Sequence, residues 1–293
     1  AAEVAGGAKI EDTCTRGIRA ELSLASASYK STLMGLKALE SPGVSEAAIQ
    51  YAADRISDAD AMRSAAVQIP DILRAVRALS EAENEDKNPW KTTSEMRYDT
   101  QGPFHEPLEN LLTGLATQDL AETSGNMLVM VDGSGSMYWD EVSSRQGETA
   151  DFAGLTRADV AVFAAAALAS CTPEHVNVDV VCYDDRPRPV DTGSQGLFNS
   201  ATVIGNKMGG GGTHTWECVE KVYNGQDTVI IITDEQTASV PNAVADMLRG
   251  KRVVTVNVAG YEAAHDDTRT FGHSAGMSAN MFSDLVDMIN QQP

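Results

Sequence analysis

From about Ala20 to Ser80, apolar side chains recur three and four positions apart. The run Val44, Ala47, Ala48, Tyr51, Ala52 and Ile56 has the period of an amphipathic helix. A second run, Met62, Ala65, Ala66, Ile69, Ile72, Leu73, Val76 and Leu79, repeats the pattern, with Pro70 inside it. Proline lacks a backbone donor and collides with the preceding turn, so two short helices are expected there in place of one. Ser41-Pro42-Gly43 and Ser57-Asp58 read as the turn and the cap between helices, which predicts stacked antiparallel helical hairpins. Residues 81–103 are polar, contain Asn88-Pro89 and Gly102-Pro103, and read as a long surface connection. A further amphipathic helix is expected over Glu106–Leu120.

The texture changes near residue 121. Short apolar runs at Met127–Val131, Val176–Cys182, Thr228–Ile232 and Arg252–Val258 predict strands. Between and after them, Ala158–Ala169, Thr215–Tyr223, Asn242–Arg249 and Ser278–Ile289 predict helices. Such alternation predicts an α/β fold with a doubly wound, mostly parallel sheet. Leu128-Val129-Met130-Val131 and Val229-Ile230-Ile231-Ile232 are apolar on consecutive residues, as expected of central strands covered on both faces. The expected division is therefore an α-helical repeat segment over 1–120 and an α/β domain over 121–293. So short a helical segment needs neighbours to stack against, whether the α/β domain, another chain or further repeats.

Charge narrows the range of partners. The chain has 22 Lys and Arg against 42 Asp and Glu, a formal charge of −20, and the larger share of the excess falls after residue 120. Nucleic-acid affinity comes chiefly from Lys and Arg contacts to phosphate, so this balance argues against a general polyanion binder and suits a cation binder. Cys14, Cys171, Cys182 and Cys218 have neither paired metal-ligand spacing nor the density of a disulfide scaffold, so buried thiols in a reduced setting are expected. With no apolar run of membrane-spanning length and no signal-like segment at the start, a cytoplasmic chain without a membrane partner is expected.

Candidate chemistry lies at two strand ends. Asp132-Gly133-Ser134-Gly135-Ser136 places a carboxylate and two hydroxyls at alternate positions directly after a buried strand. Thr213 follows the glycine run 209–212 at the start of a helix, and Asp234 follows the second apolar strand. Hard oxygen donors with few carboxylates suit Mg²⁺, with Ca²⁺ or Mn²⁺ as alternatives. In open α/β sheets the carboxyl ends of the strands are where ligands bind, so placement and chemistry agree.

These residues resemble the metal-ion-dependent adhesion site of von Willebrand factor A domains, which consists of a DxSxS strand end, a distant Thr and a distant Asp. The resemblance implies that Asp132, Ser134, Ser136, Thr213 and Asp234 surround a cation with one position left for an oxygen ligand from a protein partner. A narrower set is similar to the TROVE (Ro) family: Met208 to Thr213, Ile230 to Thr237, Phe271-Gly272, the closing helix to Ile289, and the helical stretches Tyr51 to Asp58 and Ile69 to Val76. That likeness implies a ribonucleoprotein component in which helical repeats bind small noncoding or misfolded RNA. The chain departs from the family in having few residues before 120 for a ring of repeats, and little basic surface.

Plainer readings stand beside these. Asp, Gly and Ser are ordinary turn residues, so Asp132 to Ser136 alone is more often a simple turn, and Thr213 and Asp234 are what turn the reading toward a metal. Gly133-Ser134-Gly135 lacks the spacing of a hydrolase elbow, and the glycine run has no following Lys for a phosphate loop. Binding, not catalysis, is therefore expected, either as a Ro-like RNA-binding component or as a metal-dependent assembly module with no RNA role and the capacity to oligomerise. His214 reads as a helix-start residue, Glu235 as an outer carboxylate, and Tyr138 and Trp139 as rim or local packing. The Ala161–Ala169 stretch reads as a small-residue face against the sheet.

Overall fold

The computed structural model describes residues 16–67, 69–80, 102–139, 155–193, 195–234, 239–258, 272–275 and 281–291. They form two compact units, one from the described residues up to 80 together with 102–112, the other from Thr113 onward. No helix among the described residues is long and apolar enough to cross a membrane.

The first unit is helical: residues 16–24 (α1), Tyr29–Leu39 (α2), Glu46–Ile56 (α3), Ala59–Ser64 (α4) and Ile69–Ser80 (α5). Serines start two of these helices by accepting from the first-turn amides: Ser28 from Ser31 N at 3.1 Å and Ser45 from Ala48 N at 3.2 Å. Asp58 does the same for α4, accepting from Asp60 N at 3.0 Å and Ala61 N at 2.9 Å. Pro70 lies in the first turn of α5, where a missing N–H costs nothing, so the break falls just before it. The buried face of α3 is Ala48, Ala52, Ala53 and Ile56. Tyr51, expected on that face, is exposed and accepts instead from Arg55 Nη1 at 3.1 Å. Helix α2 packs against both α3 and α5. Tyr29 Oη donates to Ile56 O at 2.6 Å, and the buried Asp71 carboxylate receives Lys30 at 2.8 Å and Arg74 at 3.0 Å.

Helix α6 spans His105–Leu120. Then follow β1 (Met127–Asp132), α7 (Ser136–Trp139), α8 (Arg157–Cys171), β2 (Val178–Tyr183), β3 (Pro187–Val190), α9 (Leu197–Gly205), α10 (Thr215–Val222), β4 (Thr228–Thr233), α11 (Asn242–Met247), β5 (Arg252–Asn257), β6 (Gly272–Ala275) and α12 (Met281–Gln291). The six-stranded sheet has the order β3-β2-β1-β4-β5-β6, parallel except for the antiparallel edge β3. This is the mostly parallel α/β sheet expected, and its order is that of a doubly wound, Rossmann-like arrangement. Strand β3, helix α9 and strand β6 were not anticipated. Pro187 and Pro189 mask β3, because proline in a sheet is confined to edges where its missing donor faces away.

Every residue of β1 and β4 is buried. On one face Leu128, Met130, Val229 and Ile231 pack with Trp216 and Val219 of α10 and Val244 of α11. On the other lie α8, buried along almost its whole length, and α9, joined by an edge-to-face contact of Phe163 with Phe198 at 6.2 Å. The alanines of α8 let it approach the strands closely, as the small-residue run suggested. Each fully buried Ile or Val of β4 is worth about 1.5–3 kcal/mol relative to exposure, so burial anchors the two central strands.

Candidate functional site

Strands β1 and β4 are parallel neighbours with Val131 beside Ile232, so their carboxyl ends emerge side by side. Asp132, the last residue of β1, is fully buried. Its Oδ1 accepts from Ser134 N at 2.8 Å and its Oδ2 from Thr233 Oγ1 at 2.6 Å. Ser134 Oγ and Ser136 Oγ lie 3.2 Å apart, Ser134 buried and Ser136, the first residue of α7, half-buried. Burial pushes the Asp132 carboxyl up to about 6; the hydrogen bonds from Thr233 and Ser134 oppose the shift, and the charge of Asp234 adds to it.

The glycine loop is drawn onto this turn by backbone hydrogen bonds. Gly210 N donates to Gly133 O at 2.6 Å and Gly135 N to Gly211 O at 3.1 Å. The approach is close enough that a Cβ on Gly133 would stand 3.1 Å from both Gly209 N and Met208 Cα. Beyond the glycines the loop is tied to the end of β2, with Gly212 N on Asp185 Oδ1 at 2.9 Å and His214 N on Asp184 O at 3.1 Å. Thr213 sits between these two anchors, half-buried, and its side chain makes no hydrogen bond to Asp132, Ser134 or Ser136. His214 occupies the position before α10 without capping it through its side chain, which lies 3.7 Å from Asp185.

Asp234, immediately after β4, is fully buried, and its Oδ2 accepts from Arg157 Nη1 at 3.0 Å. Arg157 opens α8, whose start is set by a capping box in which Asp159 N donates to Thr156 Oγ1 and Asp159 Oδ2 accepts from Thr156 N. At the end of β2, buried Asp184 pairs with Arg188 at 2.7 Å and accepts from Gly211 N at 3.2 Å. Burial alone would raise its pKa, but the bonds from Arg188, Arg186 N and Gly211 N prevail and hold it below the ordinary carboxylate value.

The structure thus brings Asp132, Ser134 and Ser136 together, sets Asp234 close enough to act on Asp132 through its charge, and carries Thr213 up on the loop. Three contributors escaped the sequence reading. Thr233 is an unremarkable strand residue until β1 and β4 are in register. Arg157 reaches Asp234 only through the packing of α8. The Tyr183-Asp184-Asp185 strand end is marked in the sequence by two carboxylates after an apolar run. Tyr183 is buried beside Asp132, and burial and that charge drive its hydroxyl well above the ordinary value, with hydrogen bonds to Thr215 and Thr233 opposing. The Tyr138 hydroxyl is buried in the same region. Glu235 lies outside the described residues, as does the side chain of Trp139.

The donor set fits a small hard cation. Octahedral Mg²⁺ with oxygens at 2.0–2.1 Å places adjacent ligands about 2.9 Å apart, close to the separation of the two serine hydroxyls. Each Asp132 oxygen accepts one hydrogen bond and keeps a further lone pair. Among the described residues no three His, Cys, Asp or Glu side chains group as a metal cage. Cys182 and Cys218 are buried, burial pushing their thiols up to about 12 and about 11, so neither offers a thiolate. Cys171 is likewise a buried thiol, and Cys14 lies outside the described residues.

Comparison with known proteins returned no matching family model and no matching curated relative.

Proposed function

We propose that the crevice at the carboxyl ends of β1 and β4 binds a divalent cation, Mg²⁺ in preference to Ca²⁺ or Mn²⁺, and uses it to hold a protein partner. Asp132, Ser134 and Ser136 would contact the cation, with Thr213 and Asp234 acting at its margin. A bound cation supplies an oxygen-seeking position that a partner's acidic side chain can complete. The observation that carries this reading is the pair of serine hydroxyls 3.2 Å apart beside a buried carboxylate whose two oxygens are both oriented by donors. The strand order with one antiparallel edge supports a von Willebrand A-type domain as the scaffold. Binding is favoured over catalysis because each described carboxylate deep in the site is committed to a donor: Asp132 to Thr233, Asp234 to Arg157, Asp184 to Arg188.

Replacing Asp132 by Ala removes the one carboxylate placed for direct contact, and calorimetry is expected to show Mg²⁺ affinity reduced by about a hundredfold or more. Unchanged affinity in a folded variant removes the assignment.

A second reading makes the chain a Ro-like (TROVE) ribonucleoprotein component whose helical unit binds RNA. The packed helices α2, α3 and α5 favour it. The basic side chains of that unit weigh against it, since Lys30 and Arg74 pair with Asp71, Lys37 lies near Glu40, and Arg55 donates to Ala27 O. The metal-dependent assembly reading is therefore the better supported.

A further inference from the structure

Tyr183, the last residue of β2, is fully buried, and nothing in the cation reading uses its hydroxyl. Thr215, the first residue of α10, donates through Oγ1 to Tyr183 Oη at 3.1 Å, and Tyr183 is in turn hydrogen-bonded to Thr233. Thr233 Oγ1 donates to Asp132 Oδ2 at 2.6 Å. Thr215, Tyr183, Thr233 and Asp132 are each at most 1% exposed, so solvent does not compete for these bonds. The result is a line of three hydroxyls that starts on α10, crosses the ends of β2 and β4, and terminates on the carboxylate at the end of β1.

The number of hydrogens fixes its direction. A hydroxyl has a single hydrogen, and an ionised carboxylate only accepts. The Thr233 hydrogen goes to Asp132, so Thr233 enters a second bond only as acceptor, and the hydrogen it receives is that of Tyr183. Tyr183, having donated its own, accepts from Thr215. Hydroxyls linked in this way polarise one another and strengthen the last donor. The bond accordingly shortens from 3.1 Å at Thr215 to 2.6 Å at Asp132, the length of a hydroxyl on a charged oxygen. Asp132 Oδ1 is held separately by Ser134 N, so the orientation of the carboxylate is set from both sides.

We infer that Tyr183 and Thr215 are positioning residues for the cation site proposed above, on which this inference rests. They act through Thr233 on Asp132, without contacting the cation. Thr215 lies two residues beyond Thr213, so the same line ties the loop that carries Thr213 to the Asp132 carboxylate. The plain alternative is that three buried hydroxyls merely satisfy one another, in which case their loss lowers stability and leaves cation affinity intact.

The test is a Mn²⁺ titration, followed by the paramagnetic signal of the free ion, on wild type, Tyr183→Phe, Thr233→Val and the double variant, with urea unfolding of each metal-free protein alongside. Tyr183→Phe is expected to bind Mn²⁺ about tenfold more weakly than wild type, the lower end for loss of a group that orients a metal ligand. Thr233→Val should lose at least as much. Adding Tyr183→Phe to it should cost no further affinity, because the link through which Tyr183 acts is already gone. Thr215→Val should weaken binding less, and Thr215→Ser, which keeps the hydroxyl, should match wild type. Wild-type protein that binds Mn²⁺ while folded Tyr183→Phe binds it equally well overturns the inference and leaves the cation site standing. Losses for Tyr183→Phe and Thr233→Val that simply add overturn it too. Should Tyr183→Phe not fold, the same cycle run with Thr215→Val decides, unchanged or additive affinity again overturning the inference. A wild type that does not bind Mn²⁺ removes the cation site, and the inference with it.

Discussion

Thr233 shows how much of this site is decided by single hydrogen bonds. Its hydroxyl is the sole side-chain donor to Asp132 Oδ2 among the described hydrogen bonds, at 2.6 Å in a region without exposure. A buried carboxylate oxygen that loses its donor keeps the cost of leaving water without the compensating bond. Thr233→Val, nearly the same shape, is therefore expected to cost about 1–3 kcal/mol in urea unfolding of the metal-free protein, whereas Thr233→Ser should stay within a few tenths of wild type. Equal stabilities for Val and Ser would mean that the hydroxyl does not orient Asp132. The five residues singled out from the sequence were legible because Asp, Ser and Thr after an apolar run are chemically conspicuous. Thr233 and Arg157 were not, since nothing local distinguishes a threonine in a strand or an arginine after a helix cap. Their roles exist only once neighbouring elements are in register.

At the scale of elements, the segment that assembles the site is the loop of residues 209–212, which joins the β1 turn to the end of β2. Gly209 lies so close to the Asp184–Arg188 pair that a Cβ there would overlap the Asp184 carboxylate and approach both Arg188 Nη atoms to 2.6 Å. The pair is held from several sides and has little room to yield. Gly209→Ala should therefore displace the loop, costing about 1–3 kcal/mol in thermal or urea unfolding and weakening Mg²⁺ binding along with stability. A variant as stable as wild type, with full Mg²⁺ affinity, would show that the loop does not depend on this contact. The strands β1, β2, β4 and β5 are readable within a residue or two from short apolar runs, which are continuous in β1 and β4, the mark of strands covered on both faces. Helix α9 carries Leu197, Ala201 and Ile204 at helical spacing, a short signal in a segment bounded by glycines. Strand β3, by contrast, has little apolar signal of its own, and pairing with β2 makes it a strand.

For the whole molecule, charge and architecture bear on partner choice together. A chain of net charge −20 whose described helical-unit cations are largely paired offers little to phosphate. Purified protein is expected to show no excess absorbance at 260 nm and no change on ribonuclease treatment; a ribonuclease-sensitive excess would favour the Ro-like reading over the assembly reading. The α/β class, the central strands, the helical character of the stretch from about residue 20 to 80 and the oxygen-rich chemistry after β1 and β4 were legible in the sequence alone. These rest on local periodicity and on side-chain type, which the chain carries without folding. Folding alone brings Thr233 to Asp132, Arg157 to Asp234 and residues 209–212 onto Gly133. Those contacts join residues about a hundred positions apart or fewer, through strand register and helix packing. Separation of that kind is invisible to local pattern, because the energy that selects each partner comes from burial of the whole sheet.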